Sequence, residues 1–346
     1  MSAPPLSEIE VIAPNLKRRL SGVTATVVRL IPIMARQIAI VTTGPGLPKD
    51  LPHIGLASLP FLPRGRLRVW HARRNTEMVL GLILRHLFRR RLKLLFTSAA
   101  QRHHKGFTKA LIARMDAVIA TSAKAASYLD RPATVIMHGV DTATFTPPTD
   151  RAALRRALNL PDGIIIGCFG RFRAQKGVDL LVDAALTLLP TRPEVSVIFT
   201  GLVTRDNEAF HAGLMAKITA AGLQTRIRFL GELPWSQVVQ HYQCLDLFTA
   251  PARWEGFGLT PLEAMACGVP VVAADVGAFD SLITPQVGTL VPPGDAAALT
   301  EALRGWLDAP VRLAAAGPAA RAHVLANHRI EGEADAICAV YRQLLT

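Results

Sequence analysis

The stretch EGFGLTPLEAMACGVPVVA, residues 255–273, carries the signals of a loop, a helix and a strand in succession. Thr260 and Pro261 favour a helix start, because proline presets the helical φ angle and has no amide hydrogen to leave unpaired. Gly268 is typical of a helix end, and the apolar run after it is typical of a short buried strand. The prediction is therefore a helix followed by a strand: Glu255–Gly268 and Val269–Ala273.

Two acidic residues, Glu255 and Glu263, bracket the glycine-containing start of this helix. The backbone amides at a helix N-terminus attract anions, and a carboxylate in the first turn is compatible with the helix dipole. Two acids near a helix start also occur in helices without a function. The pattern alone leaves a ligand site and a structural helix start open.

The chain as a whole has 346 residues, of which 50% are hydrophobic, and a mean hydropathy of +0.28. This length and composition predict two globular domains with sizeable cores. No apolar run is long enough to suggest a membrane span, and the first residues, Met1–Pro5, do not resemble a secretion signal. The four cysteines are scattered, which predicts reduced thiols in a cytoplasmic protein and no structural metal.

Charge is distributed unevenly between the two halves. Residues 1–150 contain 22 basic and 8 acidic residues, a balance of +14, whereas residues 151–346 contain 17 and 18, a balance of −1. The basic excess therefore belongs to the first half, where it favours an anionic partner such as nucleic acid, an acidic substrate or an anionic membrane.

Short apolar segments alternate with helical segments along both halves, which predicts parallel βαβ units and two consecutive α/β domains. A proline-rich linker at residues 146–150 separates the halves. The predicted strands are Glu8–Ala13, Gln37–Thr42, Arg68–His71, Leu92–Thr97, Ala117–Ala120, Thr134–Met137, Gly163–Phe169, Val195–Thr200, Ile227–Leu230, Leu245–Ala250 and Val287–Val291. The predicted helices include Val23–Arg36, Glu77–Arg90, Val178–Leu189 and the amphipathic Glu331–Leu345.

A basic loop, residues 170–177, follows the first strand of the second half. Gly170 lets the backbone approach a ligand closely, Arg171 offers a planar fork to phosphate oxygens, and Lys176 adds a point charge. The loop has neither the Walker order of residues nor the dinucleotide-binding order. Taken alone, it is equally compatible with a solvated surface loop.

Together these features resemble the donor site of nucleotide-sugar-dependent retaining glycosyltransferases of the GT-B type. The shared motifs are Gly-Arg-(x)4-Lys-Gly at 170–177, Glu-(x)7-Glu at 255–263 and His-Gly-Val-Asp at 138–141. The resemblance implies two Rossmann-like parallel-sheet α/β domains that face each other across a cleft. It further implies an acceptor domain at 1–146, a donor domain at 147–328 and a C-terminal helix at 329–346 that packs back toward the first domain.

The same resemblance implies roles for individual residues. Arg171 and Lys176 would hold the diphosphate, Glu263 the nucleotide ribose, and Glu255 the donor sugar; the catalytic set is Glu255, Arg171 and Lys176. No metal or other cofactor is expected, since the two cations would balance the charge of the leaving group. The residues expected to bind the donor are Gly170, Arg171, Lys176, Gly256, Phe257, Gly258, Leu259, Thr260 and Glu263.

One position departs from the family pattern. Many relatives have a histidine after the strand that matches residues 92–96, whereas this chain has Ser98 or Ala99 there. Either His103 or His104 could substitute for it, or both could be solvated loop residues. His71, at the end of another predicted strand, is equally ambiguous.

The acceptor is expected to bind the basic first domain. Lys17–Arg19, Arg73–Arg74 and Arg102–Lys105 follow predicted strands, and the run at 82–91 mixes leucine and phenylalanine with arginine, as a membrane-surface helix or an ordinary amphipathic helix would. An anionic glycolipid at a membrane surface accounts for both features. Nucleic acid is not expected, because no recognition motif is present and aromatic residues are only 6%. The candidate acceptor-binding residues are Gly22, Lys17, Arg18, Arg73, His103 and His104.

Residues 10–24 and 69–75 also resemble the lipopolysaccharide core mannosyltransferases of alphaproteobacteria. That resemblance implies transfer of mannose from GDP-mannose to the acidic sugar Kdo on a lipid A precursor. The enzyme would be cytoplasmic and peripherally associated with the inner face of the inner membrane. Two alternatives remain: a hexosyltransferase that uses UDP- or ADP-glucose and a soluble glycan acceptor, and a sugar-nucleotide-binding protein with a degenerate site.

Overall fold

The computed structural model of the protein describes residues 3–18 and 22–346, and it divides the chain into two α/β units. The first unit comprises Met1–His138 together with Ile330–Thr346, and the second comprises Gly139–Arg329. The division therefore falls earlier than the boundary predicted at 146/147.

The reason is the packing of the segment that follows His138. The guanidinium of Arg321 donates hydrogen bonds to the carbonyl oxygens of Thr142 and Phe145, at 2.9 and 2.7 Å. The ring of Phe145 packs edge-on against Tyr242. Polar and aromatic contacts thus fix this segment to the second unit. The boundary was predicted from the prolines at 146–150, and composition alone does not show which unit a segment contacts.

The first unit contains a seven-stranded sheet in the order β3-β2-β1-β4-β5-β6-β7. All neighbouring pairs are parallel. Strands β2 and β3 follow β1 on one side of it, and β4 to β7 follow on the other side, so the order of the strands changes direction between β1 and β4. The strands are β1 (Val11–Pro14), β2 (Ile40–Thr43), β3 (His53–Ile54), β4 (Arg68–Ala72), β5 (Leu92–Ser98), β6 (Ala117–Ala120) and β7 (Thr134–Val135).

The second unit contains a six-stranded sheet in the order β10-β9-β8-β11-β12-β13, again with parallel neighbours. The predicted pair of parallel-sheet domains is therefore confirmed. The strands are β8 (Ile164–Phe169), β9 (Val195–Thr200), β10 (Ile227–Phe229), β11 (Leu247–Ala250), β12 (Val271–Ala274) and β13 (Gly288–Val291).

Helices cover both faces of the sheets, as buried parallel strands require. Asp150 and Asp295 cap α5 and α11 by accepting hydrogen bonds from the amides of Ala153 and Ala298, at 2.9 and 2.8 Å. The helices are α1 (Gly22–Met34), α2 (Asn75–His86), α3 (Gly106–Ile112), α4 (Ala123–Ser127), α5 (Arg151–Ala157), α6 (Val178–Leu188), α7 (Glu208–Ala220), α8 (Trp235–Gln243), α9 (Thr260–Ala266), α10 (Phe279–Leu282), α11 (Ala296–Leu307), α12 (Pro310–Asn327) and α13 (Ile330–Leu345).

The side chains of β1 alternate between the two cores of the first unit, because successive residues of a strand point to opposite faces. Val11 and Ala13 pack in a core that includes α1 and the terminal helix α13, whereas Ile12 packs in a core with α2 and α3. The C-terminal helix is thus part of the first unit, and it lies over one face of the first sheet.

Candidate active site

The loop after β8 lies against the segment that follows β11. Gly177 has a φ angle of 69°, and a Cβ atom at this position would lie 1.9 Å from the carbonyl oxygen of Pro251. Only glycine permits both this left-handed conformation and this close approach. The Arg253 amide donates to the Gln175 carbonyl at 2.8 Å, and the Gln175 side chain donates to the Trp254 carbonyl at 3.0 Å.

This contact brings two of the predicted catalytic residues together. The ammonium group of Lys176 forms an ion pair with a carboxylate oxygen of Glu255, and both side chains are largely buried. The other carboxylate oxygen of Glu255 accepts a hydrogen bond from the Gly256 amide at 2.9 Å. Gly258 has a φ angle of 88°, and a Cβ atom there would collide with the ring of Phe279. The glycines of the loop therefore shape the surroundings of the pair.

The Lys176–Glu255 pair lies in the wall of a cleft of about 330 Å³ at the carboxyl ends of β8 and β11. Arg171 is exposed at this cleft, whereas Cys168 is buried in its wall, and burial raises the pKa of the Cys168 thiol to about 12. The thiol is therefore protonated at neutral pH and unsuited to act as a nucleophile. The cleft is lined by Cys168, Phe169, Gly170, Arg171, Lys176, Val178, Thr249, Ala250, Pro251, Ala252, Glu255, Thr260 and Phe279.

Helix α9 begins at Thr260, where the sequence predicted a helix start, and ends at Ala266. The predicted span 255–268 is therefore five residues too long at its start and two too long at its end. The positive φ angles of Gly258 and Gly268 are incompatible with helix, and they leave Glu255 in a loop where it can reach Lys176. The following strand likewise runs from Val271 to Ala274 rather than over 269–273.

Glu263 lies within α9 and is buried. Its carboxylate accepts a hydrogen bond from the hydroxyl group of Tyr242 at 2.9 Å. Burial, together with the adjacent carboxylate, raises the pKa of Tyr242 well above its ordinary value. Glu263, Gly256, Phe257, Gly258 and Leu259 are not among the residues that line the cleft, and the Phe257 side chain is buried.

In the first unit, the candidate acceptor residues fall into separate groups. Lys17 and Arg18 are exposed on the loop after β1, and Gly22 begins α1; Arg19, the third residue of that basic run, lies outside the described residues. His104 Nε2 lies 3.2 Å from Ser98 Oγ and lines a groove with Lys109, Tyr128 and Asp130. Burial and the charge of Arg102 lower the pKa of His104. His103 packs edge-on against Tyr128.

Arg73 lines a different space, a cavity at the carboxyl ends of β4, β5, β6 and β7. His71, fully buried in its wall, lies with Nδ1 2.6 Å from the Tyr341 hydroxyl and Nε2 2.6 Å from the Thr97 hydroxyl. Burial, with the nearby charge of Arg73, lowers the pKa of His71 well below its ordinary value. The cavity is lined by Thr26, Leu30, His71, Arg73, Thr97, Ala99, Ile119, Thr121, Ile136, His138, Glu333 and Ile337.

The sequence pointed to Arg73 and to His71, but it did not connect them with the other residues of this cavity. His138 Nδ1 lies 2.6 Å from a carboxylate oxygen of Glu333, which comes from the C-terminal helix α13. The buried Thr121 hydroxyl has no hydrogen-bond partner among the described residues. The available signals were a histidine at the end of a strand and an acid and a tyrosine on one amphipathic helix, but no motif connects them.

Comparison with known proteins identifies the family. The sequence pattern described as Glycosyl transferases group 1 matches residues 150–323. The chain belongs to this glycosyltransferase family. It is 50% identical to the lipopolysaccharide core biosynthesis mannosyltransferase LpsB of Rhizobium meliloti, over 98% of this chain and 99% of that protein. It is 52% identical to the enzyme of the same description, LpcC, of Rhizobium leguminosarum bv. viciae, over 99% and 98%.

The fold of this glycosyltransferase also has solved counterparts. The Anabaena protein Alr3699/HepE, solved in complex with UDP, superposes with a TM-score of 0.85 at 20% identity, covering 97% of this chain and 100% of that one. This similarity shows the GT-B fold. Within the described residues, no three His, Cys, Asp or Glu side chains are grouped to hold a metal ion, and no helix has the length and apolar character needed to cross a membrane.

Proposed function

We propose that this glycosyltransferase moves mannose from GDP-mannose to the acidic sugar Kdo of a lipopolysaccharide inner-core precursor, with retention of the anomeric configuration. The observation that carries the sugar transfer is the Lys176–Glu255 ion pair in the cleft of the second unit, with Arg171 at the same cleft. The proposal of mannose and of a lipopolysaccharide acceptor is supported by the names of the two rhizobial relatives.

The cations of the cleft suit the charge that develops during transfer. When the bond between the anomeric carbon and the phosphate oxygen breaks, the departing GDP takes the electron pair and gains negative charge. In this proposal Lys176 moves from Glu255 to the diphosphate and, together with Arg171, stabilises that charge. Glu255 is then available to accept hydrogen bonds from hydroxyl groups of the sugar.

Retention would follow from attack on the same face of the sugar through an oxocarbenium-like state. The acceptor hydroxyl oxygen bonds to the anomeric carbon, and its proton passes to the departing phosphate oxygen. This sequence needs no nucleophile from the protein. A covalent glycosyl adduct on Glu255, detected by mass spectrometry of the enzyme trapped with a slow donor, would contradict it.

The proposal also covers the binding of the nucleotide ribose and the independence of transfer from a metal ion. The buried carboxylate of Glu263, oriented by Tyr242, would accept hydrogen bonds from the ribose hydroxyl groups of the nucleotide. We further propose transfer without a divalent metal, since Lys176 and Arg171 supply positive charge at the cleft. Full activity after treatment with EDTA is the expected result, and activity restored only by added magnesium or manganese would contradict it.

The acceptor side of the proposal includes contact with an anionic membrane surface. Phe61 and Leu87 are 78% and 73% exposed. The Arg91 side chain donates to the Gly65 carbonyl at 3.0 Å, which ties the chain after α2 to the chain that follows Phe61. Exposed Arg89 belongs to the same segment as Arg91. Apolar side chains beside arginines favour insertion among anionic lipid headgroups.

The membrane contact is tested by sedimentation with vesicles. The protein should sediment with phosphatidylglycerol-containing vesicles at low salt and remain in solution with phosphatidylcholine alone. Leu87→Glu should weaken this binding. Val311→Glu in the second unit is the matched control, because Val311 is equally apolar and 83% exposed. Equal binding by the wild type and Leu87→Glu would contradict the assigned surface.

The transfer itself is tested with a panel of donors. The purified protein is given GDP-mannose, UDP-glucose or ADP-glucose together with a Kdo-containing lipid A precursor, and the products are analysed by mass spectrometry. Mannose transfer from GDP-mannose is the expected result. Transfer from UDP-glucose alone would refute the assignment of mannose, but the assignment of the enzyme as a glycosyltransferase would stand. Binding of donors without any transfer would indicate a binding protein.

A further inference from the structure

The cavity beside Arg73 has the position of a ligand site. It lies at the carboxyl ends of β4, β5, β6 and β7, where open α/β sheets bind their ligands. The lining combines the apolar side chains of Leu30, Ile119 and Ile337 with a few polar groups, which suits a ligand with both apolar and hydroxyl-bearing faces.

The guanidinium of Arg73 in the cavity wall forms no ion pair with an acidic side chain of the described residues. Arg74 is held by the carboxylate of Glu77 and the side chain of Asn15, at 2.8 and 2.9 Å. The guanidinium of Arg73, its neighbour, instead contacts His71 at 3.3 and 3.4 Å and hydrogen-bonds with the Tyr341 hydroxyl. Because Arg73 is only partly exposed, an anion beside it would be held with little screening by solvent.

The other ionisable groups of the wall do not offer a positive charge that could bind an anion in place of Arg73. His71 is neutral at pH 7, because burial lowers its pKa, and it is held between Tyr341 and Thr97. The carboxylate of Glu333 is paired with His138 at 2.6 Å. The Thr121 hydroxyl, buried in the same wall without a partner in the described structure, is a second group that a ligand could satisfy.

We propose that this cavity binds the carboxylate-bearing sugar of the acceptor, with the guanidinium of Arg73 on the carboxylate and the Thr121 hydroxyl on a sugar hydroxyl. This inference rests on the proposed function, since it assigns the acceptor of that reaction to named residues of the first unit. Arginine suits the role because its planar fork matches the two oxygens of a carboxylate. The pair His71–Tyr341 positions Arg73 and does not contact the sugar in this assignment.

The experiment measures binding of free Kdo, its methyl ester and glucose 1-phosphate by titration calorimetry. The wild type should bind Kdo at least about tenfold more tightly than the ester, since a charge-assisted hydrogen bond contributes about 1.5–3 kcal/mol. Arg73→Gln should lose this preference, and Thr121→Val should weaken binding several-fold. Lys93→Gln is the control, because this substitution also removes one positive charge, at the opposite end of β5. Tighter binding of glucose 1-phosphate than of Kdo would overturn the carboxylate assignment.

A second readout separates this inference from the proposed function. Hydrolysis of GDP-mannose in the absence of acceptor reports the donor site alone. Arg73→Gln that hydrolyses GDP-mannose normally and transfers mannose with an increased KM for the Kdo acceptor supports the inference. Normal hydrolysis and an unchanged KM would overturn it while the proposed function stands. Absence of hydrolysis and of transfer in the wild type would instead refute the proposed function, whereas the comparison of Kdo with its ester tests the cavity independently.

Discussion

The two units of this glycosyltransferase each place polar groups at the carboxyl ends of a parallel sheet, but they assemble these groups differently. In the second unit, the Lys176–Glu255 pair comes from two short motifs, each punctuated by glycines with positive φ angles. In the first unit, the cavity collects two residues from each of α1, the ends of β4 to β7 and the C-terminal helix. A site concentrated in motifs can be found from sequence, whereas a dispersed site becomes visible only in the fold.

The largest effect is expected from removing Lys176 from the cleft of the second unit. Lys176→Ala should lower kcat/KM for mannose transfer by about 10²–10³, the usual cost of losing one group that stabilises transition-state charge. The measurement is steady-state transfer from GDP-mannose. Lys217→Ala is a suitable control, since Lys217 forms only an exposed ion pair with Asp183 in the same unit. A rate within threefold of the wild type would remove Lys176 from the mechanism.

A comparison of two glycines tests the loop that supports this pair. Gly177 and Gly222 have nearly equal φ angles, 69° and 67°, but a Cβ atom would meet the Pro251 carbonyl only at Gly177. Replacement by alanine should cost about 1 kcal/mol at Gly222, from backbone strain alone, and about 3 kcal/mol or more at Gly177, where steric overlap is added. Urea unfolding of the two variants gives both values. Equal losses would show that the close approach relaxes at little cost.

Two buried tyrosines compare the two units directly. Tyr242 donates to the Glu263 carboxylate in the second unit, and Tyr341 contacts His71 in the first. Tyr242→Phe should destabilise by about 1.5–3 kcal/mol and Tyr341→Phe by about 1 kcal/mol, because hydrogen bonds to charged groups contribute more.

Kinetic measurements separate the roles of these two tyrosines. Tyr242→Phe should raise the KM for GDP-mannose, and Tyr341→Phe should raise the KM for the Kdo acceptor. The reverse pattern would contradict the assignment of the donor to the second unit and of the acceptor to the first.

The last prediction concerns stability in acid. Burial, with the charge of His323, lowers the pKa of His328 to about 4. Between pH 6.5 and about 4, the unfolded chain therefore binds a proton that the folded chain does not, so the free energy of unfolding should fall as the pH falls. His328→Gln should show a shallower decrease over this interval in denaturant titrations. Parallel curves for the wild type and the variant would show that His328 does not contribute.

The sequence predicted the fold well because βαβ units leave local signals. It placed β4, β6 and α13 within a few residues, but it missed the short β3, α3 and α4, whose few residues carry no periodic pattern. It recognised the start of α9 at Thr260 and Pro261 and its end near Gly268, but the span it gave also included the loop around Gly258, whose positive φ angle is incompatible with regular helix.

The same contrast explains which site residues were found. Arg171, Lys176 and Glu255 follow recognisable glycine-containing motifs, and the structure places all three at one cleft. His71 and Tyr341 are 270 positions apart, and His138 and Glu333 are 195 positions apart. No local pattern encodes such pairs, because their contact depends on the terminal helix lying over the first sheet.

The division of labour between the units is tested most directly by a binding matrix. GDP-mannose and free Kdo are each titrated into the wild type, Lys176→Ala and Arg73→Gln, with circular dichroism as the control for folding. We expect Lys176→Ala to lower the affinity for GDP-mannose by about tenfold or more and Arg73→Gln to lower the affinity for Kdo by a similar factor. Each variant should bind the other ligand with an affinity within about twofold of the wild type. Loss of both ligands in either correctly folded variant, or unchanged GDP-mannose affinity in Lys176→Ala, would contradict the assignment of donor and acceptor to separate units.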